Sequence, residues 1–400
     1  MKNYELIKKC ENISIKKMQN RRVYVDYNAT TPIRSEVKAA IVSDLEIYGN
    51  ASSLHTSGRQ ARARVEEARK AVALLLGADM ASIIFTSGGS ESNNAVFQTM
   101  RQFKSDRNEF ITTQIEHPCV LNSAEFTKEQ GFKVHFIPVD EKGKIRMEAF
   151  KAALSERTLF VSVMMANNEI GTIQDIKEIT RLAKEAGAYC HTDAVQALGK
   201  IPVNVKDLGI DYLTVSAHKI YGPKGVGALY IKKGAPFFPL IHGGHQEEGL
   251  RAGTYNNLGI LGFGIAAELA MRDLGEYRKK TSALRDRLRN GLSIKIPDIK
   301  INGHPVDTLS NTLNVSFTGA EGEAILLSMD LEGIEASTGS ACASGSLEPS
   351  HVLLATGIGP ELAHGSIRFS LGWQTTEEDV DYIIEKLPPI IKRLRAMSTL

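Results

Sequence analysis

Between Tyr24 and Ile231 short β-branched apolar runs alternate with longer stretches of helical periodicity, and this alternation constrains the fold more than any other property of the chain. The candidate strands are "SIIFTS", "EFITTQ", "KVHFIPV", "LFVSVM", "AYCHTD", "YLTVSA" and "GALYIK". Between them, Ser57 to Leu76 and Ile176 to Ala186 show helical periodicity with charged outer faces. Strands joined by helices run parallel, because the crossover returns each strand in the same direction. The pattern predicts an α/β fold: a large domain with a mostly parallel seven-stranded sheet between helices.

After the Gly-rich stretch "HGGHQEEGLRAGT" comes a long helical pattern from about Leu258 to Leu292, followed by strand-like "TLNVSF" and "GSIRFS" separated by helices. This reads as a smaller α/β domain. A chain of 400 residues suits two cores better than one. The expected organisation is an N-terminal extension over 1–22, a large domain over 23–265 and a small C-terminal domain over 266–400, with the N-terminal segment a candidate to join the latter. The Gly/Ser/Ala-rich run "STGSACASGS" predicts a mobile loop at about 337–349.

Lys and Arg number 48 against 46 acidic residues, for a net charge of +2, so the chain carries no electrostatic footprint for direct nucleic-acid binding. No stretch reaches the roughly 18 apolar residues of a membrane-spanning helix, so no membrane role is expected. Cys10, Cys119, Cys190 and Cys342 are scattered without a CxxC pair or metal-type spacing, which predicts neither a disulfide framework nor a metal site and fits a reducing, cytoplasmic setting. The opening "MKNYELIKKCENISIKKMQNRR" is basic but lacks the apolar core of a signal peptide. It reads as an extension, with a transit peptide the alternative.

Three features converge on one cofactor. In "FTSGGSES" a strand ends at Gly88 and Gly89 and Ser90 opens a helix, placing bare amides and a hydroxyl where a phosphate binds. In "HTDAVQ" a strand ends in Asp193, a position that points into the ligand crevice of a parallel sheet. A carboxylate there can pair with a protonated pyridine nitrogen and keep the ring an electron sink. In "SAHKIYGPKG", Lys219 again follows an apolar strand, flanked by Ser216 and His218. A Schiff-base lysine needs such partial desolvation to be neutral and nucleophilic. Alone, each of the first two reads equally well as an ordinary helix cap, and the third as a surface lysine. Their order is that of a pyridoxal 5′-phosphate (PLP) enzyme.

The motifs then become specific. From "VYVDYNATTP" through "GNASSLH", "FTSGGSESNN", "IEHPCVL", "NNEIGTIQDI", "HTDAVQALGK", "SAHKIYGPKG", "GGHQEEGLRAGT" and "STGSACASGSLEPSHVL" to "SIRFSLG", nearly the whole chain resembles a class V, fold-type I PLP enzyme of the NifS/IscS-like cysteine desulfurase group. The resemblance implies that Lys219 carries the cofactor, Asp193 pairs with its ring nitrogen, and Gln196 bonds its ring hydroxyl, with Asn167 near that hydroxyl and the substrate. It further implies that His117 stacks on the ring, that Gly89, Ser90, Ser216 and His218 hold the phosphate, and that Thr254 reaches the partner subunit's phosphate in a homodimer with composite sites.

Cys342 selects the reaction. It sits among Gly339, Ser340, Gly345 and Ser346, a composition with little packing value, whereas Cys119 and Cys190 fall in a helix and a strand and read as small core hydrophobes. The expected chemistry removes sulfur from L-cysteine, leaving alanine and a persulfide on Cys342, with Lys219 as the base. His117 is the candidate for controlling protonation of that thiol. Arg368 in "SIRFSLG" matches the family position that grips the substrate carboxylate. The resemblance implies delivery of the sulfur to an iron–sulfur scaffold or a tRNA-thiolation protein. Selenocysteine lysis or another class V activity shares Lys219 and Asp193 and stays open, as does a non-catalytic sulfur-relay component.

Overall fold

The computed structural model describes residues 21–338 and 348–397. Strand β1 (Val23–Tyr24) is followed by seven strands of one sheet: β2 (Ile83–Thr86), β3 (Glu109–Thr113), β4 (Lys133–Ile137), β5 (Thr158–Ser162), β6 (Tyr189–Asp193), β7 (Tyr212–Ser216) and β8 (Gly227–Ile231). Their spatial order is β2-β8-β7-β6-β5-β3-β4. The pairs from β7 through β6, β5 and β3 to β4 are parallel, whereas β8 is antiparallel to both β7 and β2. All seven predicted strands form. Strand β8 escapes the parallel rule because the short "HKIYGPKG" connection holds only a single 3₁₀ turn, so the chain doubles back.

Alternation along the strands builds two cores. Ile111, Val161 and Leu213 pack on one sheet face with Val72, Leu76 and Phe263 from flanking helices. Their chain neighbours Phe110, Phe160 and Tyr212 turn to the other face, against Phe97 and Met100. Phe97 and Phe160 meet edge to face with centroids 5.2 Å apart, an arrangement worth about 1 kcal/mol beyond area burial. With both faces covered, β2, β3, β5, β7 and β8 are buried along their whole length.

Strands β9 (Ile299–Asn302), β10 (Thr312–Phe317) and β12 (Ser366–Ser370) form a second, antiparallel sheet in the order β12-β10-β9, and β11 (Ile334–Glu335) pairs in parallel with β1. Val23 and Val25 thereby join a further core with Leu288, Phe317, Phe369 and Ile383. The helix Asn257–Lys295 serves both units: Phe263 and Ala267 enter the large-sheet core, Leu284 and Leu288 the small one. The expected division at residue 266 lies inside this helix. No helix among the described residues is long and apolar enough to cross a membrane.

Candidate active site

Strands β6 and β7 both deliver their C-terminal residues, Asp193 and Ser216, to the wall of a cavity of about 430 Å³. This is where an open parallel sheet binds ligands. Beyond Ser216 a single 3₁₀ turn, Ala217–Lys219, brings His218 and Lys219 to the same cavity. The helix Gly89–Gln102 starts almost directly after β2, so its unpaired first amides, with Gly89 and Ser90, line the opposite segment of chain. A Cβ on Gly89 would meet Val195 Cγ2 at 2.9 Å, so this helix start packs closely against the segment after Asp193.

The Lys219 amine donates to the carbonyls of Asn28 and Ala29, each at 2.6 Å. Asp193 Oδ2 accepts from Asn93 Nδ2 at 2.7 Å and Oδ1 from the Val195 amide at 2.9 Å, which fixes the carboxylate plane. Gln196 Nε2 donates to the Asn28 carbonyl, and its Oε1 accepts from Lys200 Nζ at 2.7 Å. His117 caps the helix Pro118–Glu129; its Nδ1 accepts from the Cys119 amide at 3.2 Å and lies 2.9 Å from Cys119 Sγ. With Nδ1 an acceptor, the neutral ring carries its proton on Nε2. Burial lowers the His117 pKa, with Asp193 opposing and Lys219 and His351 reinforcing the shift. His218, 3.2 Å from Thr30 Oγ1, is pushed down to about 4 by burial and then by Lys219, so its ring is neutral at pH 7. On β12, Arg368 is nearly fully buried; Nη2 bonds Asp26 Oδ1 at 2.7 Å, Nη1 bonds the Asn168 carbonyl, and Nε has no partner.

The structure thus brings Gly89, Ser90, His117, Asp193, Gln196, Ser216, His218, Lys219 and Arg368 to one cavity. It does not bring the Asn167 side chain there. Asn167 is fully buried, its Nδ2 donating to the Ile115 carbonyl and its Oδ1 accepting from the Glu169 and Ile170 amides, so it brackets the "NNEIG" turn while Asn168 lines the cavity. Thr254 is exposed and outside this cavity. Cys342 lies outside the described residues. Cys190 is buried in β6 as expected. Cys119 packs against the core of Phe97 and Phe160 as expected and also lines the cavity, where burial and then Asp193 push its thiol up to about 12.

The sequence reading missed Asn28, Asn93 and Lys200. Asn93 carried a usable signal, since it follows Ser90 by nearly one helical turn and must face inward with it. Asn28 meets Lys219 and Gln196 through its backbone carbonyl, which no side-chain pattern reveals.

The aminotransferase class-V model matches residues 23–383. The chain belongs to the aminotransferase class-V family. It is 52% identical over 386 residues, covering 95% of this chain and 97% of the relative, to a protein of Clostridium botulinum named cysteine desulfurase IscS. Among solved structures, a NifS-like protein is 40% identical with a TM-score of 0.88, covering 93% of this chain and 100% of its own. SspA in complex with cysteine is 34% identical with a TM-score of 0.77, covering 88% of this chain and 99% of its own. The cofactor of this class-V enzyme is PLP. The donor set suits it: hydroxyls and helix amides for a phosphate, an aligned carboxylate for a ring nitrogen, a partly buried amine for an aldehyde, and a guanidinium Nε still without a partner.

Proposed function

We infer that this class-V enzyme is a cysteine desulfurase that converts L-cysteine to L-alanine and holds the sulfur as a persulfide on Cys342. The carrying observation is the convergence of the Lys219 amine, the Asp193 carboxylate and the Arg368 guanidinium on one cavity. Bound PLP supplies an electron sink that weakens the Cα–H and C–S bonds of an attached amino acid.

The chain's own residues do the rest. Ser90, Ser216, His218 and the amides from Gly89 onward hold the phosphate, with Thr254 of a second copy completing the cradle in a homodimer. Asp193, aimed by Asn93, holds the ring nitrogen; Gln196 meets the ring hydroxyl; and His117 covers the ring. Arg368 takes the substrate carboxylate through its unpaired Nε edge, and Asn168 rather than Asn167 is the asparagine beside it. Lys219 Nζ, once free, removes the Cα proton. The Cys342 thiolate attacks the substrate sulfur: an S–S bond forms, the C–S bond breaks, its electron pair stays with the substrate, and alanine is completed by a proton added at Cβ and the return of a proton to Cα. His117, kept neutral because burial lowers its pKa, is the candidate for controlling protonation of the Cys342 thiol.

The persulfide supports transfer to an iron–sulfur scaffold or a tRNA-thiolation protein, in the cytoplasm. The test is L-cysteine turnover with a reductant, following alanine and sulfide together with the visible cofactor band. Wild type should release both in equal amounts. Lys219→Ala should lose the Lys-linked band and at least about 10³-fold in rate. An unaltered band in Lys219→Ala would exclude this cofactor assignment.

A further inference from the structure

Lys200 places its amine in a fully enclosed site: the residue is 2% exposed, and its hydrogen-bond partners are Gln196 Oε1 at 2.7 Å and Asn28 Oδ1 at 3.5 Å. Among the described residues no carboxylate pairs with it. An ammonium without a counter-charge is costly to bury. Burial first, then Lys219 and Arg368, hold this amine well below the ordinary lysine range. A neutral amine still donates, and its acceptor faces the cavity from behind.

The Gln196 amide has only one orientation that suits its neighbours. Nε2 gives one hydrogen to the Asn28 carbonyl at 2.9 Å, and a flipped amide would set Oε1 against that oxygen. Oε1 in turn needs a donor, because Gln196 is 5% exposed, and Lys200 is that donor. Nε2 keeps a second hydrogen, and Gln196 lines the cofactor cavity. The same Asn28 carbonyl also accepts from Lys219, so one backbone oxygen registers the amide against the cofactor lysine.

We propose that Lys200 is a positioning residue for the cofactor: by holding Gln196 Oε1 it keeps the amide N–H turned toward the ring hydroxyl oxygen and so favours that oxygen's anion. The proposal rests on the reading of Gln196 as the ring-hydroxyl partner. Loss of the donor makes the oxygen more basic, and the titration of the Lys219-bound cofactor then moves to higher pH.

The test is a pH titration of the visible absorption band of the holoenzyme, with far-UV circular dichroism reporting folding. Lys200→Met and Gln196→Leu should each raise the midpoint by about one pH unit, a tenfold change in proton affinity. The double variant should move no further than Gln196→Leu alone, and Lys200→Gln, which retains an N–H donor, should recover at least half the shift. A shift in Gln196→Leu with none in Lys200→Met overturns the positioning role and leaves the Gln196 contact standing. Additive shifts in the double variant overturn it too, because Lys200 then acts as a charge and not through the amide. No shift in Gln196→Leu removes the Gln196 contact itself and the proposal with it.

Discussion

Asn93 decides where Asp193 points. Its Nδ2 donates both to Asp193 Oδ2 and, at 3.2 Å, to Cys119 Sγ, so one amide ties the Asp193 carboxylate to the thiol beside His117. A charge-assisted hydrogen bond of this kind is worth about 1–3 kcal/mol. Asn93→Ala is therefore expected to weaken PLP binding by roughly 10-fold or more, read by reconstituting the apoprotein and following cofactor absorbance; unchanged affinity would mean that Asp193 needs no such guide. Arg368→Lys keeps the charge but loses the planar fork, and should raise KM for cysteine by about 10–100-fold with a smaller effect on kcat. A fall in kcat at constant KM would assign Arg368 to the chemical step instead. Lys219, Asp193 and Ser90 were legible because strand ends and helix starts have sequence signatures. Asn28, Lys200 and the placement of Cys119 were not, because each depends on which distant segment packs behind it.

At the scale of elements, the segment after β5 and the short helix His351–Ala355 are pinned by one buried pair. Ser350 caps that helix, its Oγ accepting from the Leu353 amide at 3.2 Å, and the same hydroxyl donates to Glu169 Oε2. Burial raises the Glu169 carboxyl to about 7, with Ser350 and Arg368 opposing. A carboxyl whose folded pKa exceeds its unfolded value of 4.5 binds more protons when folded, so its contribution is complete below pH 4.5 and is lost as pH rises through 7. Chemical denaturation should show Glu169→Gln gaining roughly 1–3 kcal/mol on wild type between pH 4.5 and pH 8. A pH-independent difference would mean that Glu169 is ionised throughout. The strands themselves were legible from β-branched runs, but the antiparallel direction of β8 was not, since apolar content is the same for either direction.

Across the whole molecule, β1 and β11 pair although they are far apart in the chain, and Asp26 near β1 holds Arg368 on β12, so the small unit, the N-terminal strand and the cavity form one assembly. Pairings of such separation leave no local pattern in the sequence. In the proposed homodimer the exposed Thr254 would complete the partner subunit's phosphate site. Lys219→Ala and Thr254→Ala, each impaired alone, should regain about a quarter of wild-type activity after equal mixing and subunit exchange, because half the dimers then carry one intact site. No recovery, with exchange verified, would place Thr254 in its own chain's site. The central claim is that sulfur leaves cysteine onto Cys342. Its most direct test is a single turnover with stoichiometric L-cysteine and no reductant, followed by mass spectrometry of the cysteine peptides and alanine quantification. The account predicts one added sulfur atom on the Cys342 peptide for each alanine formed. Alanine released with the Cys342 peptide unmodified, or the sulfur on Cys119 instead, would contradict it.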